Sequence, residues 1–126
     1  MTGTESSPSR MDALPALAEE ILSIHRETYG KGATRTDAYL TGDAVVCFLD
    51  GLELLPNEEF MLEREMGDAV VDIRERYQEA VGATFIAAVE RATGRRVTSF
   101  LSKMNLDPHF VVEIFRLGPE TGAEAF

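Results

Sequence analysis

The chain has 126 residues and a formal net charge of −10, with 22 acidic and 12 basic side chains. This length suits one domain that buries a core without disulfide or metal staples. The acidic balance repels phosphate backbones and argues against nonspecific nucleic-acid binding. A single cysteine, Cys47, cannot form an intramolecular disulfide and fits a reducing compartment.

The chain shows no signal for a membrane or for secretion. Its first ten residues contain no apolar stretch, and no run of roughly 18 apolar residues occurs anywhere. We therefore expect a cytoplasmic protein that does not insert into a membrane by itself.

The first predicted element is an amphipathic helix that begins at Asp12 and ends at Gly30. Pro15 falls in its first turn, where a missing N–H costs little. Apolar residues recur at spacings of three and four, as on one helical face, and they are Leu14, Leu17, Ala18, Ile21 and Ile24.

Next comes a predicted β-hairpin. A strand over 35–41 is followed by Gly42 and Asp43 as a two-residue turn, and then by an apolar strand over 44–49.

Helices dominate the middle of the chain. Pro56 and the acids after it predict a short helix that ends near Met66. A long amphipathic helix then runs over 69–92 and ends at Gly94, for a length of roughly 36 Å. Its predicted apolar face contains Val70, Ile73, Tyr77, Val81, Thr84, Phe85, Ala88 and Val89. A helix this long would extend past its own sheet and suit a partner contact.

A second strand pair over 97–102 and 110–117 closes the fold, joined by a loop that carries Asn105, Asp107 and Pro108. The prediction is one α+β domain over 11–117, with flexible tails at 1–10 and 118–126. Its two layers are a four-stranded antiparallel sheet and helices on one face, in the order α-β-β-α-α-β-β. Gly30 set against Gly94 suggests a duplicated αββ unit, although any two helix-plus-hairpin units look this similar.

Three short motifs carry a resemblance to a known family. They are Tyr29-Gly30-Lys31-Gly32-Ala33-Thr34, Thr93-Gly94-Arg95-Arg96-Val97 and Asn105-Leu106-Asp107-Pro108, followed by a closing strand with Glu113-Ile114-Phe115 and Leu117. Together they resemble the MpsC-like family of small bacterial proteins. Ala33 stands where that family more often has proline, so the loop should be less rigid.

The resemblance implies a small cytosolic protein associated with a sodium-linked system that generates membrane potential. Some relatives are linked to inorganic-carbon uptake. It implies no established catalytic residue that could be carried over to this chain.

The glycine-rich loop that contains Tyr29, Gly30, Lys31, Gly32 and Thr34 allows two interpretations. Its backbone N–H groups and Lys31 could hold an anion such as phosphate or bicarbonate. However, the loop leaves a helix C-terminus, whose dipole disfavours anions, so a glycine helix stop is the better interpretation.

A basic patch is a second candidate site. Arg95 and Arg96, with Lys31 and Arg35, could gather with Arg91 and Lys103 to select an anionic ligand on an acidic molecule. Ordinary cations at helix ends and strand edges explain the same residues.

No constellation predicts catalysis, a metal or a cofactor. His25, His109, Asp107, Glu113 and Cys47 have suitable side chains, but none recurs at a metal-ligand spacing. His25 is expected to be a hydrogen-bonded packing residue. Cys47 is expected to be a buried thiol with a raised pKa.

The function that we expect is therefore a noncatalytic accessory or regulatory role. The protein would be a homodimer, through its long helix or an edge strand, and would contact a membrane transporter component. The alternative is a sensor of small anions, and an enzyme is the third class. A cluster of buried polar side chains that converged on a hollow open to solvent would argue against the accessory role.

Overall fold

The computed structural model describes residues 10–30 and 32–120. Within those ranges it contains four helices and one four-stranded antiparallel sheet, so the predicted α+β class is confirmed. The elements are α1 Arg10–Tyr29, β1 Arg35–Thr41, β2 Ala44–Asp50, α2 Pro56–Glu63, α3 Gly67–Ala80, α4 Gly82–Thr93, β3 Arg95–Asn105 and β4 Phe110–Glu120. Of the two predicted tails, residues 1–9 and 121–126 lie outside the described ranges, whereas residue 10 begins α1 and residues 118–120 belong to β4.

The sheet joins the two hairpins through their second strands. Its order is β1-β2-β4-β3, and β2 pairs with β4 in antiparallel register, with Cys47 opposite Glu113. The turn after β1 also ties the hairpins together, because the Leu117 N–H donates to the Asp43 carbonyl at 2.8 Å. Both predicted hairpins are confirmed, and each strand of the second is longer than predicted.

The core lies between one face of the sheet and the helices α1 and α4. Alternate residues of β2 and β4 point into it, and α1 adds the predicted apolar face. Fully or nearly fully buried members include Leu17, Ile21, Val45, Leu49, Phe85, Val89, Val111 and Phe115. Burying one such side chain contributes about 1.5–3 kcal/mol, so this layer supplies most of the stability.

Two details of α1 differ from the prediction. The helix begins at Arg10, so Pro15 lies inside it and not in its first turn. Its end is as predicted: Gly30 has a φ of 77° and its N–H donates to the Arg26 carbonyl at 2.7 Å. A left-handed residue at this position favours glycine.

The single long helix predicted over 69–92 is wrong. The chain breaks at Val81 into α3 and α4, so neither helix has the predicted length. A Cβ on Gly82 would lie 3.3 Å from the Phe100 ring, so α4 begins where backbone packs closely on an aromatic side chain of β3. The break lets α4 pack on α1 while α3 lies along β3.

The predicted apolar face of α3 is also rotated. Val70, Arg74 and Gln78 are the buried residues of this helix, whereas Ile73 and Tyr77 remain about half exposed. The buried side of α3 thus carries two polar side chains, whereas the pattern had predicted Ile73 and Tyr77 there. None of the helices in the described ranges is long and apolar enough to span a membrane.

Candidate functional site

Five side chains from four elements form a buried polar network. Tyr29 ends α1, Glu58 lies in α2, Arg74 and Gln78 lie on α3, and Glu113 lies in β4. All five are at most 8% exposed. Since buried polar groups cost free energy unless they are paired, the network specifies how α3 sits on the rest of the fold.

Arg74 is the hub of the network. Its Nε lies 2.6 Å from Glu58 Oε2 and its Nη2 lies 2.7 Å from Glu58 Oε1, which makes a two-pronged ion pair. The guanidinium also stacks 4.2 Å from the centre of the Tyr29 ring. Burial would raise the pKa of Glu58, but hydrogen bonds from Arg74 and from the Leu55 N–H outweigh it and lower that pKa. Glu58 is therefore a carboxylate at neutral pH.

Glu113 is the unusual member. Gln78 Nε2 donates to its Oε2, and Gln78 Oε1 lies 3.1 Å from the Tyr29 hydroxyl. The other oxygen, Oε1, has no hydrogen-bond partner among the described residues. Burial raises the pKa of Glu113 to about 8. This side chain consequently carries a proton at neutral pH, in contrast to Glu58.

His25 packs beside the network without joining it. Its ring lies 4.7 Å from that of Tyr29, and neither of its nitrogens finds a hydrogen-bond partner in the described part of the chain. His25 is a packing residue, as expected, but the hydrogen bond expected for it is not found among the described residues. Burial, with Arg74 and Arg26 nearby, lowers the pKa of His25 to about 4, so the ring is neutral at pH 7.

A surface hollow of about 210 Å³ opens next to the network, between α2 and α3. We call it the α2–α3 hollow, and its lining residues are Tyr29, Leu55, Asn57, Glu58, Met61, Val70, Ile73 and Tyr77. The polar atoms that Tyr29 and Glu58 contribute already bond Gln78, Arg74 and the Leu55 backbone. The unpaired nitrogens of His25 belong to a residue that does not line it.

The hollow therefore lies beside buried polar groups without bringing reactive ones together. Its lining contains no serine, cysteine or histidine among the residues that the structure describes. Half-exposed Ile73 and Tyr77 supply apolar surface at its rim. Such a site can receive an apolar side chain of another molecule, but it presents neither a nucleophile nor a neighbouring base.

The predicted glycine-rich loop has a structural role. A Cβ on Gly32, whose φ is 137°, would lie 2.6 Å from His25 Cδ2, so the loop packs directly over that ring. The Gly32 carbonyl accepts from the Glu53 N–H and the Thr34 N–H donates to the Asp50 carbonyl, both at 2.9 Å. Lys31 lies outside the described residues.

The second predicted loop, with Asn105, Asp107 and Pro108, forms the β3–β4 turn. Asn105 Nδ2 donates to the Pro108 carbonyl at 2.8 Å, and the Asp107–Pro108 peptide is cis. The side chain of Asn105 therefore fixes the shape of the turn, as its type predicts.

The predicted basic patch is not assembled from Arg35 and Arg95. Arg35 lies at the end of the sheet where Asp50 pairs with Phe110, and it contacts Asp37 and Asp50 at 3.1 and 3.4 Å. Arg95 lies at the opposite end, where its Nη2 is 2.9 Å from Asp43 Oδ1. Antiparallel order between β1 and β3 puts the starts of these strands at opposite ends of the sheet. Arg96, exposed beside Arg95, shares the second end.

Cys47 is a fully buried thiol opposite Glu113, and burial raises its pKa, as predicted, with a further contribution from Glu113 at pH values where that group is ionised. Within the described residues, no group of three or more histidine, cysteine or acidic side chains is arranged to hold a metal ion.

Sequence reasoning missed the network, although two signals were present. Glu113 shares strand parity with Val111, Phe115 and Leu117, all of which point into the core. Arg74 and Gln78 follow Val70 at intervals of four residues and so share its side of the helix. The polar character of these side chains concealed both patterns.

Fold and site together define a small α+β protein with a buried ion-pair network and no assembled catalytic centre in its described ranges. A family model described as the Na+-translocating membrane potential-generating system (MpsC) matches residues 13–118. The chain belongs to this family, as its motifs indicated. Neither the curated proteins nor the solved structures contain a significant match to it.

Proposed function

We propose that the protein is a noncatalytic accessory or regulatory component of a bacterial membrane system that transports ions or inorganic carbon. It acts through protein-protein contacts, on the cytoplasmic side of the membrane and as a homodimer. Family membership supports the link to a membrane-potential-generating system. The observation that carries the contact role is the α2–α3 hollow with Ile73 and Tyr77 exposed at its rim.

The hollow suits an apolar side chain carried by a cytoplasmic segment of the transport component. Ile73 is 49% exposed and Tyr77 is 52% exposed, so a partner that covered them would remove two large apolar surfaces from water. The Arg74–Glu58 pair fixes α3 against α2, which holds the two walls of the hollow in place without a partner. A preformed site of this kind binds with little ordering cost.

Crosslinking in living cells tests the proposal. The tagged protein is expressed in its own host, crosslinked, and recovered from membranes for identification of its partners by mass spectrometry. Wild type should recover a component of an ion or inorganic-carbon transport system. Ile73→Lys should lower that recovery at least tenfold, because it puts a charge against an apolar contact.

Phe60→Lys is the matched control, since Phe60 is 53% exposed on α2 but does not line the hollow. It should leave the recovery unchanged. Recovery of no transport component, or equal recovery with Ile73→Lys, would refute the proposed role.

The alternative, a sensor of small anions, has less support. Its proposed ligands Arg35 and Arg95 lie at opposite ends of the sheet and each already pairs with an aspartate. A single anion could not be held by both.

A further inference from the structure

One face of the sheet lies on the side away from the core, with Glu75 and Glu79 of α3 beside it at the β3 edge, and we call it the open sheet face. The strand registers arrange its side chains in rows that cross the sheet from edge to edge. One row is Tyr39, Val46, Ile114 and Leu101, and the next is Asp37, Phe48, Val112 and Lys103. Six of these eight side chains are apolar.

The size of this apolar surface indicates an interface. Tyr39 is 52% exposed, Phe48 is 36% exposed and Leu101 is 64% exposed. With strands about 4.8 Å apart and rows about 6.8 Å apart, these two rows make an apolar patch of roughly 260 Å² per copy, and all four rows of the face cover roughly 500 Å². The whole faces of two copies together would bury about 1,000 Å², the lower end of specific interfaces, with the apolar patch at the centre.

Charges at the two edges of the open sheet face favour a second copy of this chain as its binding partner. Asp37 on β1 and Lys103 on β3 lie in the same row at opposite edges, and the Lys103 side chain is 79% exposed. A twofold axis parallel to the strands would place β1 of one copy over β3 of the other. Each Asp37 then faces the Lys103 of the second copy, and Tyr39 faces Leu101.

A twofold axis across the strands gives a worse match. It would put β1 of one copy over β1 of the other. Asp37 would then face either Asp37 of the second copy or the row that contains Tyr39. Within one copy, Asp37 contacts Arg35 at 3.1 Å and Lys103 lies 3.8 Å from Glu75, so pairing across the axis would add a second partner to each charge.

We propose that the open sheet face binds a second copy of this chain, with the Asp37 and Lys103 side chains paired across a twofold axis parallel to the strands. This assigns a surface to the homodimer of the proposed function and rests on it only for that feature. The edge strand β3 is an unsuitable alternative, because Glu75 Oε2 already accepts the Met104 N–H at 3.1 Å.

Sedimentation of the purified full chain gives the first test. The chain has a mass of 13.9 kDa, so the wild type should sediment at twice that mass at high concentration and dissociate on dilution. Leu101→Lys should weaken dimerisation at least tenfold while circular dichroism remains unchanged. Ile73→Lys, which alters the hollow instead, should leave the dimer intact.

Mixing two charge variants gives the decisive test. Asp37→Lys alone and Lys103→Asp alone each oppose like charges across the interface, so each should be mainly monomeric. An equimolar mixture should dimerise again, because both cross-pairs are then opposite in charge. The rescue is expected only if the twofold axis runs parallel to the strands, because that axis places residue 37 of one copy opposite residue 103 of the other.

A monomeric wild type, a dimer unaffected by Leu101→Lys, or a mixture without rescue would each overturn the proposal. Such results leave the capture of a transport component through the hollow untouched, since that experiment reads a different surface. Conversely, a confirmed dimer that recovers no transport component would refute only the proposed function.

Discussion

Replacing Glu113 with glutamine should flatten the pH dependence of stability above pH 6.5. Burial raises the pKa of Glu113 from 4.5 to about 8. Between these values the native protein keeps a proton that the unfolded chain releases. The free energy of unfolding therefore falls by about 1.4 kcal/mol for each pH unit of that window.

His25 acts in the opposite direction at lower pH. Its pKa is lowered from 6.5 to about 4, so the unfolded chain gains a proton that the native protein lacks, and stability is lost as the pH falls from 6.5 towards 4. The two slopes nearly cancel below pH 6.5. From pH 6.5 to 8, Glu113 acts without this compensation, and the wild type should lose about 1.5 kcal/mol, because ionisation near its own pKa reduces the full slope.

Urea unfolding followed by circular dichroism at pH 6.5, 7, 7.5 and 8 measures this difference. Glu113→Gln keeps an acceptor for Gln78 and should show no comparable loss over the window. Glu59→Gln, at an exposed position on α2, is the matched control and should keep the wild-type slope. A flat wild-type profile, or a Glu113→Gln profile as steep as the wild type, would refute the assignment of a protonated Glu113.

The remaining predictions concern stability and reactivity at pH 7. Arg74→Met should cost about 3 kcal/mol, because it leaves a buried carboxylate without its partner; a loss under about 1 kcal/mol in urea unfolding would contradict a buried ion pair. Gly30→Ala should cost about 1 kcal/mol through its positive φ alone, whereas Gly32→Ala also drives a methyl group against His25 and should cost about 3 kcal/mol. Equal midpoints of thermal unfolding for these two variants would contradict this prediction, because they would show that the clash with His25 costs no stability. Cys47 should react with a disulfide reagent at least 100-fold more slowly in the native protein than in urea, and rapid native labelling would show that the thiol is accessible.

The sheet was the more predictable half of the fold. Gly42 and Asp43 mark a two-residue turn, and apolar β-formers after them identify a buried strand from local sequence alone. The order of the strands is not local, because pairing of β2 with β4 depends on how the two hairpins meet in the folded chain.

The helical half was less predictable. The apolar spacing continues through Val81, so periodicity alone favours one helix, whereas the break lies beside a tertiary contact between Gly82 and Phe100 that periodicity does not reveal. The buried polar network could not be predicted for a similar reason. Arg74 is buried because Glu58 and Tyr29 receive it there, and no single segment of sequence contains that set of partners.

The carboxylate of Glu75 at the edge of β3 limits how copies of this chain can assemble. Continuous growth of a sheet from molecule to molecule needs two unpaired strand edges, and this side chain takes the Met104 N–H that an added strand would require. Edge-to-edge pairing of strands could therefore join two copies through β1 but could not continue to a third copy through β3. A chain with an apolar patch on its open sheet face is thereby directed towards closed pairs and away from filaments.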